Sequence, residues 1–233
     1  MILHHGTSLT RAREAALEGL LPRKFSGRNS FPHTPAHPLC VYMSDTYPLY
    51  FAENARRQDN DDFAVVISID TAVLDEADLL PDEDVLEQIN RGVDGLPASW
   101  TASERTLHYR RLLAEYAGSE GWQESLKLLG TCALVGSVPP QAFVSLAVVN
   151  RQAQKKLMMW ATDFSVSLAH FRSAADAQKV LTQRVTAGTW PTCGSAIDRS
   201  FPKWLQNDVD SHGGIDVYTL AGFRDWVGTV SSC

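Results

Sequence analysis

Cysteine is scarce in this chain, with four in 233 residues, at Cys40, Cys132, Cys193 and Cys233. None belongs to the C-x-x-C pair that zinc and redox sites use, so these residues are expected to fill small core positions. Long apolar runs are missing too: none approaches the roughly 18 residues that span a bilayer. No charged segment leads into an apolar one near the start, so no membrane partner and a reduced, cytoplasmic setting are expected. Positive charge is outweighed, 21 Lys and Arg against 27 Asp and Glu, for a formal charge of −6. Nothing in that balance draws the whole chain to nucleic acid. The local basic cluster of Arg11, Arg13, Arg23, Lys24 and Arg28 reads first as a solvated helix face and loop. Also absent are a P-loop, Rossmann glycines, a G-x-S-x-G nucleophile turn and any internal repeat.

What is present is an ordinary globular composition, 44% apolar and 21% charged, enough to bury a sizeable core. Met1 to His5 reads as a strand, with Ser8 capping a helix that Gly19 stops in the left-handed conformation. Residues 22 to 38, with Gly27, Pro32, Pro35 and Pro38, read as a functional loop. His33 and His37 are four apart, a metal-ligand spacing on a helix, but Pro35 between them argues against one. Leu39 to Met43 is a strand, Tyr47 to Arg57 a helix, and Phe63 to Asp70 the strongest β-branched run. Pro81 and Asp82 are expected to start a helix. Further helices are expected at Ser103 to Tyr116 and Trp122 to Leu129, then a strand at Gly130 to Ser137. Phe143 to Val149, nearly all apolar, reads as a central strand.

Beyond residue 150 the texture changes. Arg151 to Trp160 and Ala174 to Val185 read as helices, the second stopped by Gly188, with an alternating strand at Phe164 to Phe171 between them. Trp190, Trp204 and Trp226 are expected to anchor a small core.

The chemistry concentrates in two stretches, Leu3-His4-His5-Gly6-Thr7 and Val41-Tyr42-Met43-Ser44-Asp45. A glycine lets backbone groups approach a carboxamide closely, an imidazole can bond a ribose hydroxyl, and a tyrosine face can stack on a flat ring. With Glu18-Gly19-Leu20 and Phe51-Ala52, these stretches in this order resemble the diphtheria-toxin-like branch of ADP-ribosyltransferases. That branch includes the poly(ADP-ribose) polymerases and the tRNA 2′-phosphotransferases. The later Gly136-Ser-Val-Pro-Pro-Gln-Ala-Phe is similar to the turn after that family's last catalytic strand. The resemblance covers roughly residues 1 to 150.

It implies an α+β domain over 1–150, a mixed split sheet with flanking helices that binds NAD, followed by a C-terminal α/β extension over 151–233. It implies that NAD is the substrate, with His5 on a ribose, Gly6 at the carboxamide, Tyr42 stacked on nicotinamide, Ser44 and Tyr50 lining the same cleft, and Thr7 also among the NAD-binding residues. The reaction would move ADP-ribose to a macromolecular acceptor, protein or nucleic acid, and release nicotinamide. One departure stands out. The polymerases carry a glutamate at the head of the last catalytic strand, where this chain has Thr131 or Cys132. The carboxylate that supports the developing positive charge must then come from elsewhere. Glu87 and Asp84 lead as candidates, with Glu120 and Glu124 behind them; Glu87 is the tentative catalytic partner of His5 and Tyr42. Two rivals share the fold: a binding module without catalysis, and an NAD-dependent RNA 2′-phosphotransferase.

Overall fold

The computed structural model describes residues 1–22, 36–85, 99–101, 104, 107–108, 121–163, 174–188 and 214–230. In chain order its elements are β1 (Ile2–Ser8), α1 (Leu9–Glu18), β2 (Cys40–Ser44), α2 (Pro48–Asp59), β3 (Phe63–Asp70) and β4 (Leu79–Pro81). Then come α3 (Gly121–Leu129), β5 (Thr131–Val135), β6 (Phe143–Asn150), α4 (Arg151–Asp163), α5 (Ala174–Thr186), β7 (Ile215–Tyr218) and α6 (Leu220–Val230). The protein is thus mixed helix and antiparallel sheet, an α+β chain. Among the described residues no helix is long and apolar enough to cross a membrane.

The chain divides into two compact units. The first holds Met1–Gly19, Asp45–Val73 and Pro139–Cys233; the second holds Leu20–Ser44 and Leu74–Val138. Residue 150, where a boundary was expected, lies inside the first unit.

In the first unit the strands run β1-β3-β6-β7, each pair antiparallel. Phe143–Asn150 is central as expected, with β3 on one side and β7 on the other. Because side chains alternate along a strand, the sheet has two apolar faces. On one, Ala64, Val66, Ala147 and Val149 meet Leu49 and Ala52 of α2, Ala153 and Leu157 of α4, and Leu181 and Val185 of α5. On the other, α6 lays Trp226 edge-on to Phe63 of β3, with ring centres 5.7 Å apart, and stacks it on Tyr218 of β7 at 5.4 Å. Arg224 of α6 donates from Nε to the Ala16 carbonyl in the last turn of α1 at 2.9 Å. There it satisfies an acceptor that the helix end leaves open. Trp226 therefore anchors a core, as expected; Trp190 and Trp204 lie outside the described residues.

Three local expectations need correction. The first strand does not end at His5 but runs on through Gly6 and Thr7 to Ser8. Gly6 stays extended because α2 presses on it: a Cβ built there would sit 1.9 Å from the Pro48 carbonyl oxygen and 2.5 Å from the Ala52 nitrogen. Gly19 does close α1, its N–H donating to the Ala15 carbonyl, but with φ 90° and ψ 176°. That is a positive-φ conformation outside the left-handed helical well, one that glycine tolerates best. Pro81 does not begin a helix; it ends β4, paired opposite Cys132 of β5. Asp82 follows it, its Oδ1 accepting from the Asp84 N–H at 3.0 Å to form a turn of the kind Asp side chains favour.

The second unit is built on β4-β5-β2, again antiparallel. Val41, Met43, Leu79, Cys132, Leu134 and Val138 are buried there with Trp122 and Leu126 of α3. Cys40 and Cys132 are buried, the small core role expected of them. The expected strand at Phe164 to Phe171 lies outside the described residues, as does most of the helix expected at Ser103 to Tyr116.

Candidate functional site

Among the described residues of the second unit, a polar cluster gathers where β4 ends, beside the head of β5. β2 carries Tyr42 opposite Ala133, and Ser44 opposite Thr131. β4 pairs with the other edge of β5, so that Pro81 faces Cys132 and the chain turns at Asp82 next to Thr131. The turn brings Glu83 back toward β2, where the Tyr42 hydroxyl donates to Glu83 Oε1. The His37 backbone N–H completes the arrangement, donating to Tyr42 Oη at 2.7 Å and to Glu83 Oε1 at 2.9 Å. Glu83 is 6% exposed.

Asp82, equally buried, is held differently. Its N–H donates to Ser125 Oγ of α3 at 3.0 Å, and Ser125 in turn donates to the Thr131 carbonyl at 2.8 Å. The Asp82 carboxyl bonds the Thr131 side chain and the Asp84 N–H. Its two ends are therefore tied into the scaffold.

Burial decides the protonation of this cluster, since it penalises the charged form of an acid. Burial first, and then the neighbouring Asp82 charge, push the Glu83 carboxyl up to about 7; the Tyr42 and His37 bonds pull the other way. Burial also lifts Asp82 above the usual carboxylate range, against the pull of Thr131 and Asp84. The Tyr42 phenol is raised well above its ordinary value by burial and by the Glu83 charge, so it remains a donor. A carboxyl poised near neutrality and aligned by a phenol and a peptide N–H can accept a proton, or carry a charge, in the physiological range.

The expected site residues fall as follows. In the second unit, Tyr42 is partly exposed, while Ser44 is buried with its hydroxyl donating to the Gly130 carbonyl at 2.6 Å. In the first, His5 on β1 is partly exposed and Thr7 is buried. Gly6 faces α2 on its side-chain side, so a ligand can reach it only through its backbone. Tyr50, about half exposed on α2, stands edge-on to Phe51 with ring centres 5.6 Å apart. His4, next to His5 but on the opposite strand face, is buried with Nδ1 at 3.2 Å from Ser68 Oγ. Burial holds its imidazole down to about 4, against the pull of Asp45, so it is neutral.

Glu87 and Glu120 lie outside the described residues. Of the other proposed carboxylates, Asp84 is in the turn beside Glu83, and Glu124 on α3 is paired with Lys127 at 2.5 Å. Glu83 itself was not singled out in the sequence. The signal available was Pro81 after a short apolar run, consistent with a strand end. His33 is also outside the described residues; among those described, no group of three or more His, Cys, Asp or Glu is placed to hold a metal ion.

No protein-family model matches the chain, and no curated protein matches it. The functional reading therefore rests on the motifs and on this side-chain geometry.

Proposed function

We propose that this protein has an ADP-ribosyltransferase-like fold and moves ADP-ribose from NAD to a macromolecular acceptor, releasing nicotinamide. One observation carries the reading most: the Tyr42 phenol bonded to the buried Glu83 carboxyl, beside the head of β5. That strand head begins with Thr131 and Cys132, which offer no carboxylate, and Glu83 supplies one from the neighbouring turn. In this reading Tyr42 presents its ring to nicotinamide and His5 bonds a ribose. Gly6 meets the carboxamide through its backbone. Glu83 takes the electrostatic role first given to Glu87, supporting positive charge as the glycosidic bond weakens. Thr7 and Ser44 are both buried, and the Ser44 hydroxyl is spent on the Gly130 carbonyl.

Each unit by itself keeps part of that set accessible: Tyr42 in the second, with a carboxylate beside it, and His5 and Tyr50 in the first. A second reading, a module that binds NAD without turning it over, draws on the missing strand glutamate at Thr131 and Cys132.

The test is calorimetric titration of the protein with NAD, then chromatographic detection of nicotinamide after incubation with NAD and cell extract. NAD binding and nicotinamide release are expected, with release reduced about tenfold or more in His5→Ala and in Tyr42→Ala. Binding without release supports the module. A folded protein that neither binds NAD nor releases nicotinamide refutes both.

A further inference from the structure

α2 presses on Gly6 and carries Tyr50, so the place where this helix starts sets both. Pro48 suits a first helical position, but the N-cap residue, Tyr47, makes no side-chain cap. Tyrosine is not among the short polar residues that cap well. What holds the start comes from far along the chain. Lys179 of α5 donates from Nζ to Asp45 Oδ2 at 2.5 Å. Thr182, also on α5, places its hydroxyl 3.5 Å from the Thr46 carbonyl. Gln154 of α4 donates from Nε2 to the Leu49 carbonyl at 2.7 Å. Asp45, Thr46 and Leu49 are thus all held by helices that lie beyond residue 150.

Stability does not account for two of these contacts. The Lys179 side chain is 45% exposed, and ion pairs open to water contribute little. Gln154 is buried, and its Oε1 has no partner among the described residues. An orphaned carbonyl oxygen in a core costs free energy that a leucine would not. Position accounts for them better. The first turn of α2 leaves no room for a side chain at Gly6. A small shift of that turn therefore moves the β1 backbone next to His5, and the Tyr50 ring with it. We propose that Lys179, acting through Asp45, is a positioning residue for NAD that sets the first turn of α2. The inference rests on the NAD-binding reading above. Its effect on NAD is indirect, so it disappears once Asp45 can no longer take the bond.

Calorimetric titration with NAD, alongside thermal unfolding, tests this on the full chain. Lys179→Met should weaken NAD binding about tenfold, with an unfolding midpoint within about 2 °C of wild type. Lys179→Arg keeps the charge and the reach to Asp45, and should bind within about threefold of wild type. Lys155→Met, which removes an exposed lysine from α4, should bind NAD as wild type does. The double variant of Lys179→Met with Asp45→Ala should bind no more weakly than either single change, because both break one link. Gln154→Leu should also weaken NAD binding, with no loss of stability. A readout that needs no NAD is amide hydrogen exchange at Phe51, whose N–H donates to the Tyr47 carbonyl at 3.2 Å in the first turn of α2. It should quicken about threefold or more in Lys179→Met, while β3 keeps its rate.

Unchanged NAD affinity in Lys179→Met, with or without a lower midpoint, overturns the positioning role, as does unchanged exchange at Phe51. Losses that add in the double variant overturn it too, since Lys179 would then meet NAD with its own charge. Each of these leaves the NAD reading standing. Wild-type protein that binds no NAD removes both.

Discussion

Holding Glu83 in the second unit has a thermodynamic cost, and its sign can be worked out. Its carboxyl is raised from 4.5 to about 7 in the folded protein, so the folded state holds a proton that the unfolded chain has already released. Stability is therefore highest below about 4.5 and falls as pH rises through about 7, by about 3 kcal/mol for a shift of this size. Glu83→Gln removes that loss. The variant should be more stable than wild type at pH 8, by up to ~3 kcal/mol, and similar to it at pH 4. Urea unfolding at the two pH values checks this; an unstabilised variant at pH 8 would mean that the charged form is not penalised. A residue that destabilises its own fold where the protein works is a common mark of a functional site. Tyr42 was legible in the sequence from its Tyr-x-Ser-Asp setting. Glu83 was not, because a run of acids after a proline reads equally well as a helix start. Only the pairing of Pro81 with Cys132 shows that the chain is leaving a strand and turning inward.

At the scale of elements, period and composition carried most of the assignments. Phe63–Asp70 is read directly from eight residues whose β-branched and apolar side chains fill two buried faces. The ends of elements were harder, because they depend on what lies across from them. Gly6-Thr7-Ser8 reads as a turn in isolation, yet it is strand because β3 pairs with it through Ala64 and α2 covers it. Gly6 thus has a packing role whatever it contacts in a ligand. Gly6→Ala forces a methyl into the backbone of α2, where neither Pro48 nor Ala52 has a flexible end that can yield. It should cost about 1–3 kcal/mol or more, measured by thermal unfolding of the whole protein. A variant as stable as wild type would show that α2 does not approach β1 as described.

For the whole molecule, composition gave a globular chain with a sizeable core and the family resemblance an α+β fold, but which segments make up each unit was not legible. A change in texture at 150 suggested a cut there, whereas α4, α5, β7 and α6 complete the unit that β1 begins. Sequence texture reports local composition; which segments share a core is set by pairings such as β3 with β6, which join residues some 80 positions apart. A fragment of residues 1–150 lacks the α4 and α5 side chains that cover Leu49, Val66 and Val149. It should unfold without a cooperative transition and expose apolar surface to a hydrophobic dye, where the full chain does neither. A fragment with a sharp thermal transition would show that the first 150 residues suffice.

The central place of β6 also sets a timetable for synthesis. As the chain leaves the ribosome, β3 finds β1 at once, but its other edge waits until residue 150 has emerged. For roughly a third of translation this largely apolar strand travels with one side unpaired, the condition under which nascent chains associate with one another. A chain built this way depends on crowding and chaperone supply during its manufacture more than its finished form suggests.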